Sequence, residues 1–274
     1  MGDFGTVRYT GGILQSVTTR QWDGNGDVDS QDAVFETVLL GGVDDVRAGD
    51  GNDVVFGGAD GDNIWGGLGL NVLFGDFGFA NFGVGDLGTA STSDSQEGGA
   101  DTIRVFEEGD TSSIATERTV VVGGADGDTI QLSGGSDVVL GDMATLQFGS
   151  EGALTRATTR QLEAGGEVFV GDGGQDVVEA GSGDDLVLGG ANNDLIYGED
   201  GNDILLGDFG AFTLSASEVE GSTIDSAHGA TDTVHGQRGD DYIAGGADGD
   251  LLYGNEDEDF ILGDFVELKV SADA

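Results

Sequence analysis

Apolar positions along the chain fall in short runs whose centres stand nine residues apart, as in AGDGNDVVFGGADGDNIWGG at 48–67. From 39 to 74 the central apolar residues are Val46, Val55, Ile64 and Leu73. From 162 to 206 they are Phe169, Val178, Val187, Ile196 and Leu205, and from 227 to 262 Val234, Ile243, Leu252 and Ile261. A weaker block holds Ile103, Val121, Ile130 and Val139, with one degraded unit between the first two. Each unit predicts a three-residue strand whose middle side chain points inward, followed by a six-residue turn. Such a unit cannot bury a face alone. Stacked units can, as coils whose short strands pair with the coils before and after. No segment shows helical periodicity, so the fold class is all-β, a β-solenoid.

A longer period encloses the short one. Blocks close on Gly75-Asp76-Phe77, Gly141-Asp142-Met143, Gly207-Asp208-Phe209 and Gly263-Asp264-Phe265, with the glycines 66, 66 and 56 residues apart. Gly2-Asp3-Phe4 is the same signal, so MGDFGT reads as repeat rather than as a myristoylation site. Glycine-poorer inserts follow each signal. GTVRYTGGILQSVTTR and ATLQFGSEGALTRATTR carry strand-rich runs around turn residues and predict β-hairpins or loops. The expected division begins with a partial period with a hairpin-like insert at 1–38, a repeat block at 39–76 and an insert at 77–95. A second block with a degenerate start follows at 96–142, then an insert at 143–161, a third block at 162–208 and an insert at 209–226. A fourth block at 227–265 and the start of the next period at 266–274 complete it. The mid-period ends suggest a segment of a longer array, or ends that complete each other between molecules.

Charge changes the picture most. Asp and Glu total 53 against 9 Lys and Arg, a formal net charge of −44, which repels nucleic acid and anionic membranes. No apolar run nears 18 residues, so no membrane-inserting helix is expected. Absence of Cys excludes disulfides and thiolate metal sites. Absence of Pro suits a ladder that needs every backbone donor. Two residues before the inward apolar positions stand Asp44, Asp53, Asp62, Asp128, Asp137, Asp176, Asp185, Asp194, Asp203, Asp232, Asp241, Asp250 and Asp259; Asn71 and Glu167 replace Asp in two units. Stacking sets each turn Asp beside that of the next coil, and nine basic residues cannot neutralise them. A hard divalent cation can. Ca²⁺ accepts several carboxylate and carbonyl oxygens; Mg²⁺ holds its waters, and Zn²⁺ prefers nitrogen and sulfur. The metal-free chain is expected to be largely unfolded, with binding supplying folding free energy.

The stretches GDGNDVVFG (49–57), GGADGDNIW (57–65), GSGDDLVLG (181–189), GGANNDLIY (189–197), GEDGNDILL (198–206) and GGADGDLLY (245–253) resemble G-G-x-G-x-D-x-U-x, with U apolar. That is the calcium-binding nonapeptide of the RTX (repeats-in-toxin) family. The resemblance implies a parallel β-roll with two nonapeptides per coil and Ca²⁺ ions between successive turns. It also implies an extracellular or cell-surface protein that folds on meeting external calcium. The aspartates before the inward apolar residues are the implied ligands, with Asp50 and Asp60 adding charge.

Two features depart from the family pattern: the inserts, and strand flanks that are themselves apolar, Val54/Phe56, Ile204/Leu206, Leu251/Tyr253 and Phe260/Leu262. Those flanks need a cover, either the inserts or another molecule through self-association. Other motifs carry less. DGNGDVDSQD at 23–32 has Val28 where an EF-hand loop needs Gly, and no helical flanks. His228, His235 and Lys269 read as surface residues, and acid pairs such as Asp240/Asp241 are too common here to mark a glycosidase. Trp22, Trp65 and Tyr197 could touch a glycan, though nothing in their spacing singles them out. The expected function is a non-enzymatic, calcium-binding rigid scaffold or adhesin-type spacer; alternatives are a filament or surface-layer subunit and an accessory module of a secreted enzyme.

Overall fold

Every apolar triplet in the described residues forms a strand, and successive triplets alternate between two parallel sheets. The computed structural model describes residues 5–10, 13–19, 42–82, 87–92, 98–105, 117–149, 153–159, 173–215, 217–223, 229–264 and 267–271. In spatial order the first sheet holds β3 (Asp45–Arg47), β5 (Asn63–Trp65), β9 (Thr102–Arg104), β11 (Thr129–Gln131), β15 (Val177–Glu179), β17 (Leu195–Asp200), β21 (Thr233–Arg238) and β23 (Leu251–Glu256). The second holds β4 (Val54–Gly58), β6 (Val72–Asp76), β10 (Val120–Gly124), β12 (Val138–Asp142), β16 (Leu186–Gly190), β18 (Ile204–Asp208), β22 (Tyr242–Ala244) and β24 (Phe260–Leu262). Two triplets therefore make one coil, and the fold is a parallel β-roll.

Register follows the nine-residue frame. Ile64, Ile103, Ile130, Val178, Ile196 and Val234 stack in one column. Leu73, Val121, Val139, Val187, Leu205 and Ile243 stack in the other. The two columns meet inside the roll as one apolar core. Ile103 and Val121 lie on consecutive strands although 18 residues separate them, and 106–116 between them lie outside the described residues. Phe169 and Glu167 also lie outside; β11 pairs directly with β15, and β12 with β16.

The described residues of the inserts pack together rather than singly. Strands β1 (Gly5–Thr10), β2 (Ile13–Thr19), β7 (Gly78–Phe82), β8 (Leu87–Thr92), β13 (Ala144–Phe148), β14 (Leu154–Thr159), β19 (Gly210–Leu214), β20 (Glu218–Thr223) and β25 (Glu267–Ser271) form one antiparallel sheet of nine strands. Its inward column reads Ala80, Ala90, Leu146, Ala157, Phe212, Gly221 and Leu268. It packs on the outer side of the second sheet, where Phe56, Phe74, Val122, Leu140, Leu188 and Leu206 complete a second core. Small residues keep the layers close: a Cβ at Gly210 would stand 2.7 Å from Leu188 Cδ2.

The apolar flanks Val54/Phe56 and Ile204/Leu206 are thus covered by the chain's own hairpins, which removes them from any self-association surface. Leu262 joins the same core, while Phe260 is 52 % exposed. Among the described residues the first sheet has no such cover. Leu251 and Tyr253 lie on its outer side, 51 % and 44 % exposed. Midway along that side a polar row runs across the strands: Arg104 Nε donates to Gln131 Oε1 at 2.7 Å, and Gln131 Nε2 to Glu179 Oε2 at 2.9 Å.

Candidate metal centres

Because each coil repeats the last, equivalent turn residues stack along both edges of the roll. On the edge returning from second to first sheet the column is Asp44, Asp62, Asp101, Asp128, Asp176, Asp194, Asp232 and Asp250. The backbone N–H of each donates to Oδ1 of the next at 2.6–3.0 Å. On the opposite edge Asp53 donates to Asn71 Oδ1 at 3.0 Å. Further along that edge Thr119, Asp137, Asp185, Asp203, Asp241 and Asp259 continue the chain of bonds at 2.6–3.2 Å. All thirteen aspartates that the sequence singled out therefore fall in two ladders. Asp184 and Asp240, one residue earlier, bond in the opposite sense, accepting from the N–H of Asn202 at 2.9 Å and of Glu258 at 3.0 Å.

One oxygen of each ladder carboxylate beyond the first members, Asp44 and Asp53, is thereby used. The other, Oδ2, is buried without a hydrogen-bond partner in Asp53, Asp101, Asp128, Asp137, Asp176, Asp185, Asp194, Asp203, Asp232, Asp241 and Asp250. Leaving an anion so is costly unless a counter-charge arrives. In Asp101, Asp128, Asp176, Asp194, Asp203, Asp232, Asp241 and Asp250 these oxygens point into small cradles beside glycine Cα atoms, shared with carbonyls of the neighbouring coil. A Cβ at Gly141 would lie 2.0 Å from Asp176 Oδ2 and 2.5 Å from Gly189 O. One at Gly207 would lie 2.3 Å from Asp232 Oδ2 and 2.7 Å from Gly245 O, and one at Gly236 2.0 Å from Asp241 Oδ2 and 2.9 Å from Gly254 O.

The electrostatics agree with that geometry. Burial, then the carboxylates of Asp176 and Asp142, pushes Asp194 up to about 11. Burial, then Asp76, pushes Asp101 up to about 9. Burial also lifts Asp185 to about 9 and Asp203 and Asp232 to about 7. The donor set is oxygen only, and among the described residues no three carboxylates or imidazoles converge. A cation held here must complete its shell with carbonyl oxygens, which suits Ca²⁺ and fits the residues present. Asn71 shows the alternative: its Nδ2 donates to Gly66 O and Gly67 O at 3.2 Å each, putting an amide where other coils aim a carboxylate oxygen.

Sequence reasoning missed several members. Asp101 obeys the same rule, two residues before Ile103, but the broken frame after it hid the position. Asp76, Asp142 and Asp208 of the closing signals do a different job. They stand in register with Gly58, Gly124 and Gly190, which have positive φ, and there the chain leaves the roll. Each carboxylate then clasps the return. Asp76 Oδ1 accepts from Gly99 N–H at 3.1 Å, Asp142 Oδ1 from Gly174 at 3.1 Å and Asp208 Oδ1 from Ala230 at 3.1 Å. Their Oδ2 atoms accept from Ala125, Ala191 and Ala247 in the next coil. Burial pushes Asp76 up to about 8.

Other candidates fall apart from the ladders. Asp60 is a left-handed turn residue (φ 60°), and Asp50 is exposed on its turn. Arg47 lies over the ring of Trp65 at 4.3 Å. Tyr197 and His235 share the outer side of the first sheet. Lys269 pairs with Glu218 at 2.8 Å and with Glu220. Segment 23–32, Trp22 and His228 lie outside the described residues.

No curated protein and no solved structure matches the chain significantly. A family model, the RTX calcium-binding nonapeptide repeat (4 copies), matches residues 40–78, 118–143, 163–196, 180–211 and 227–264. With that match running over more than half of its length, the chain belongs to the RTX family of calcium-binding repeat proteins.

Proposed function

We propose that the chain is a non-enzymatic structural segment of a secreted or cell-surface protein, folding when it meets external calcium and serving as a rigid scaffold or spacer. The observation that carries this reading is the pair of ladders with a buried, unpartnered carboxylate oxygen at coil after coil. Bound Ca²⁺ supplies the positive charge those oxygens lack. The chain's own residues do the rest: Oδ1 atoms lock adjacent coils, glycines leave room for the ion, and inward Val, Leu and Ile zip the roll. Where calcium is scarce, as inside a cell, the same carboxylates repel and keep the chain export-competent. The turn acids are engaged in ladders, which supports a mechanical rather than a catalytic role.

Circular dichroism during calcium titration tests this reading. A cooperative rise of β signal, reversed by chelator, is expected. A β signal that is already complete in chelator and unmoved by calcium contradicts it.

A further inference from the structure

On the outer side of the first sheet, strands β17, β21 and β23 and the turn after β15 border a groove of about 680 Å³. That volume lies within the roughly 300–1,000 Å³ of small-molecule sites. Three features set it apart. First, the turn position held by Gly49, Gly67 and Gly181 in other coils, at φ of 98°, 75° and 102°, is held here by Glu199, Gln237 and Asn255 at φ of 76°, 79° and 81°. Side chains disfavour that conformation, and strained residues of this kind gather at binding sites. The three are in register on adjacent rungs and line the groove. Second, the next residues form a charged row: Arg238 Nη1 bonds Asp200 at 2.6 Å, and its Nε lies 3.8 Å from Glu256. Third, Tyr197, His235 and Tyr253 stack face to face, with centroids 5.1 and 4.5 Å apart.

We propose that this groove binds a neutral, hydroxyl-rich chain, an oligosaccharide lying along the stacking axis, whose hydroxyls donate to the Glu199 carboxylate and exchange hydrogen bonds with the amides of Gln237 and Asn255. Sugar hydroxyls both donate and accept, which matches a lining that alternates carboxylates with amides and a guanidinium. An apolar ligand would leave that lining unpaired. Three carboxylates against one arginine repel an anionic polymer. His235 is closed on both faces by Tyr197 and Tyr253, so along the stack the rings offer mainly edges, and hydrogen bonding to the polar lining carries the contact.

The test uses the calcium-loaded full chain on an array of neutral β-linked gluco-, manno- and chito-oligosaccharides beside acidic ones, with calorimetry on the hits. Restoring glycine at all three positions (Glu199→Gly, Gln237→Gly and Asn255→Gly together) relieves strain and should leave the melting temperature equal or higher. The same variant should bind about tenfold or more weakly. Circular dichroism on the same samples scores folding separately. Binding by the variant within about twofold of the parent, preference for acidic oligosaccharides, or no hit with folded protein would each overturn the proposal.

Discussion

Asn71 and Asp203 hold equivalent places on one edge of the roll, and one atom separates what their sites need. Both offer Oδ1 to a backbone N–H, from Asp53 and Asp185 respectively. Asn71 also satisfies the nearby carbonyls with its own amide, whereas Asp203 leaves Oδ2 bare. Asp203→Asn should therefore cost the calcium-loaded state roughly 3 kcal/mol, as loss of one partner of a buried charge pair does. It should lower the calcium stoichiometry read by equilibrium dialysis while raising the folded fraction in chelator. Unchanged stoichiometry would remove Asp203 from the ligand set. Asn71→Asp should act oppositely and add calcium demand. At this scale the sequence was readable: Asp two residues before an inward apolar residue is a local rule, with Asn71, Thr119 and Glu167 in its place in three units, and it went unread only at Asp101, where the frame lapses afterwards.

The β7–β8, β13–β14 and β19–β20 hairpins each join the roll through one aspartate and one face of small and large apolar residues. The clasp of Asp142 on Gly174 and Ala191 secures the connection around β13–β14. Replacing it by Ala should cost about 1.5–3 kcal/mol for each hydrogen bond lost to a charged acceptor. A lower melting temperature in calcium, with faster amide exchange in β13 and β14 than in β11, would register that loss. Phe212→Ala should cost about 3–5 kcal/mol, because a fully buried ring between the hairpin sheet and the second sheet has no space to collapse into. If its melting temperature matched the parent's, the second core would be contributing little. The hairpins themselves were legible from their strand-rich runs and turns. Their pairing into one sheet was not, since β8 with β13 and β14 with β19 pair across a whole repeat block.

Burial raises the aspartates of the metal-free molecule, and the sign of the pH effect follows. Asp76 rises to about 8, Asp101 and Asp185 to about 9, and Asp203 and Asp232 to about 7, from an ordinary 3.8. A raised acid binds its proton more tightly folded than unfolded. Its contribution to stability is complete below the ordinary value and lost as pH climbs through the folded one. In chelator the chain should gain β signal on acidification from about pH 8 to pH 4.5 and lose it on return. In calcium, protons compete with the ion, so the calcium midpoint should rise as pH falls. Loss of β signal on acidification in chelator would contradict the buried ladders.

What the sequence by itself determined is whatever repeats locally: the strand triplets, the inward apolar column, the turn aspartates and the oxygen-only chemistry that selects a hard cation. Those follow from a nine-residue frame in which spacing fixes side-chain direction. The tertiary structure decided what depends on distant segments. It set the hairpins into a nine-stranded layer over the second sheet and turned apolar flanks into a second core, while among the described residues no strand layer covers the first sheet. It also converted the closing aspartates into clasps. Contacts between coils and hairpins tens of residues apart leave no periodic trace in the chain, because they are chosen by which faces meet once the roll has formed.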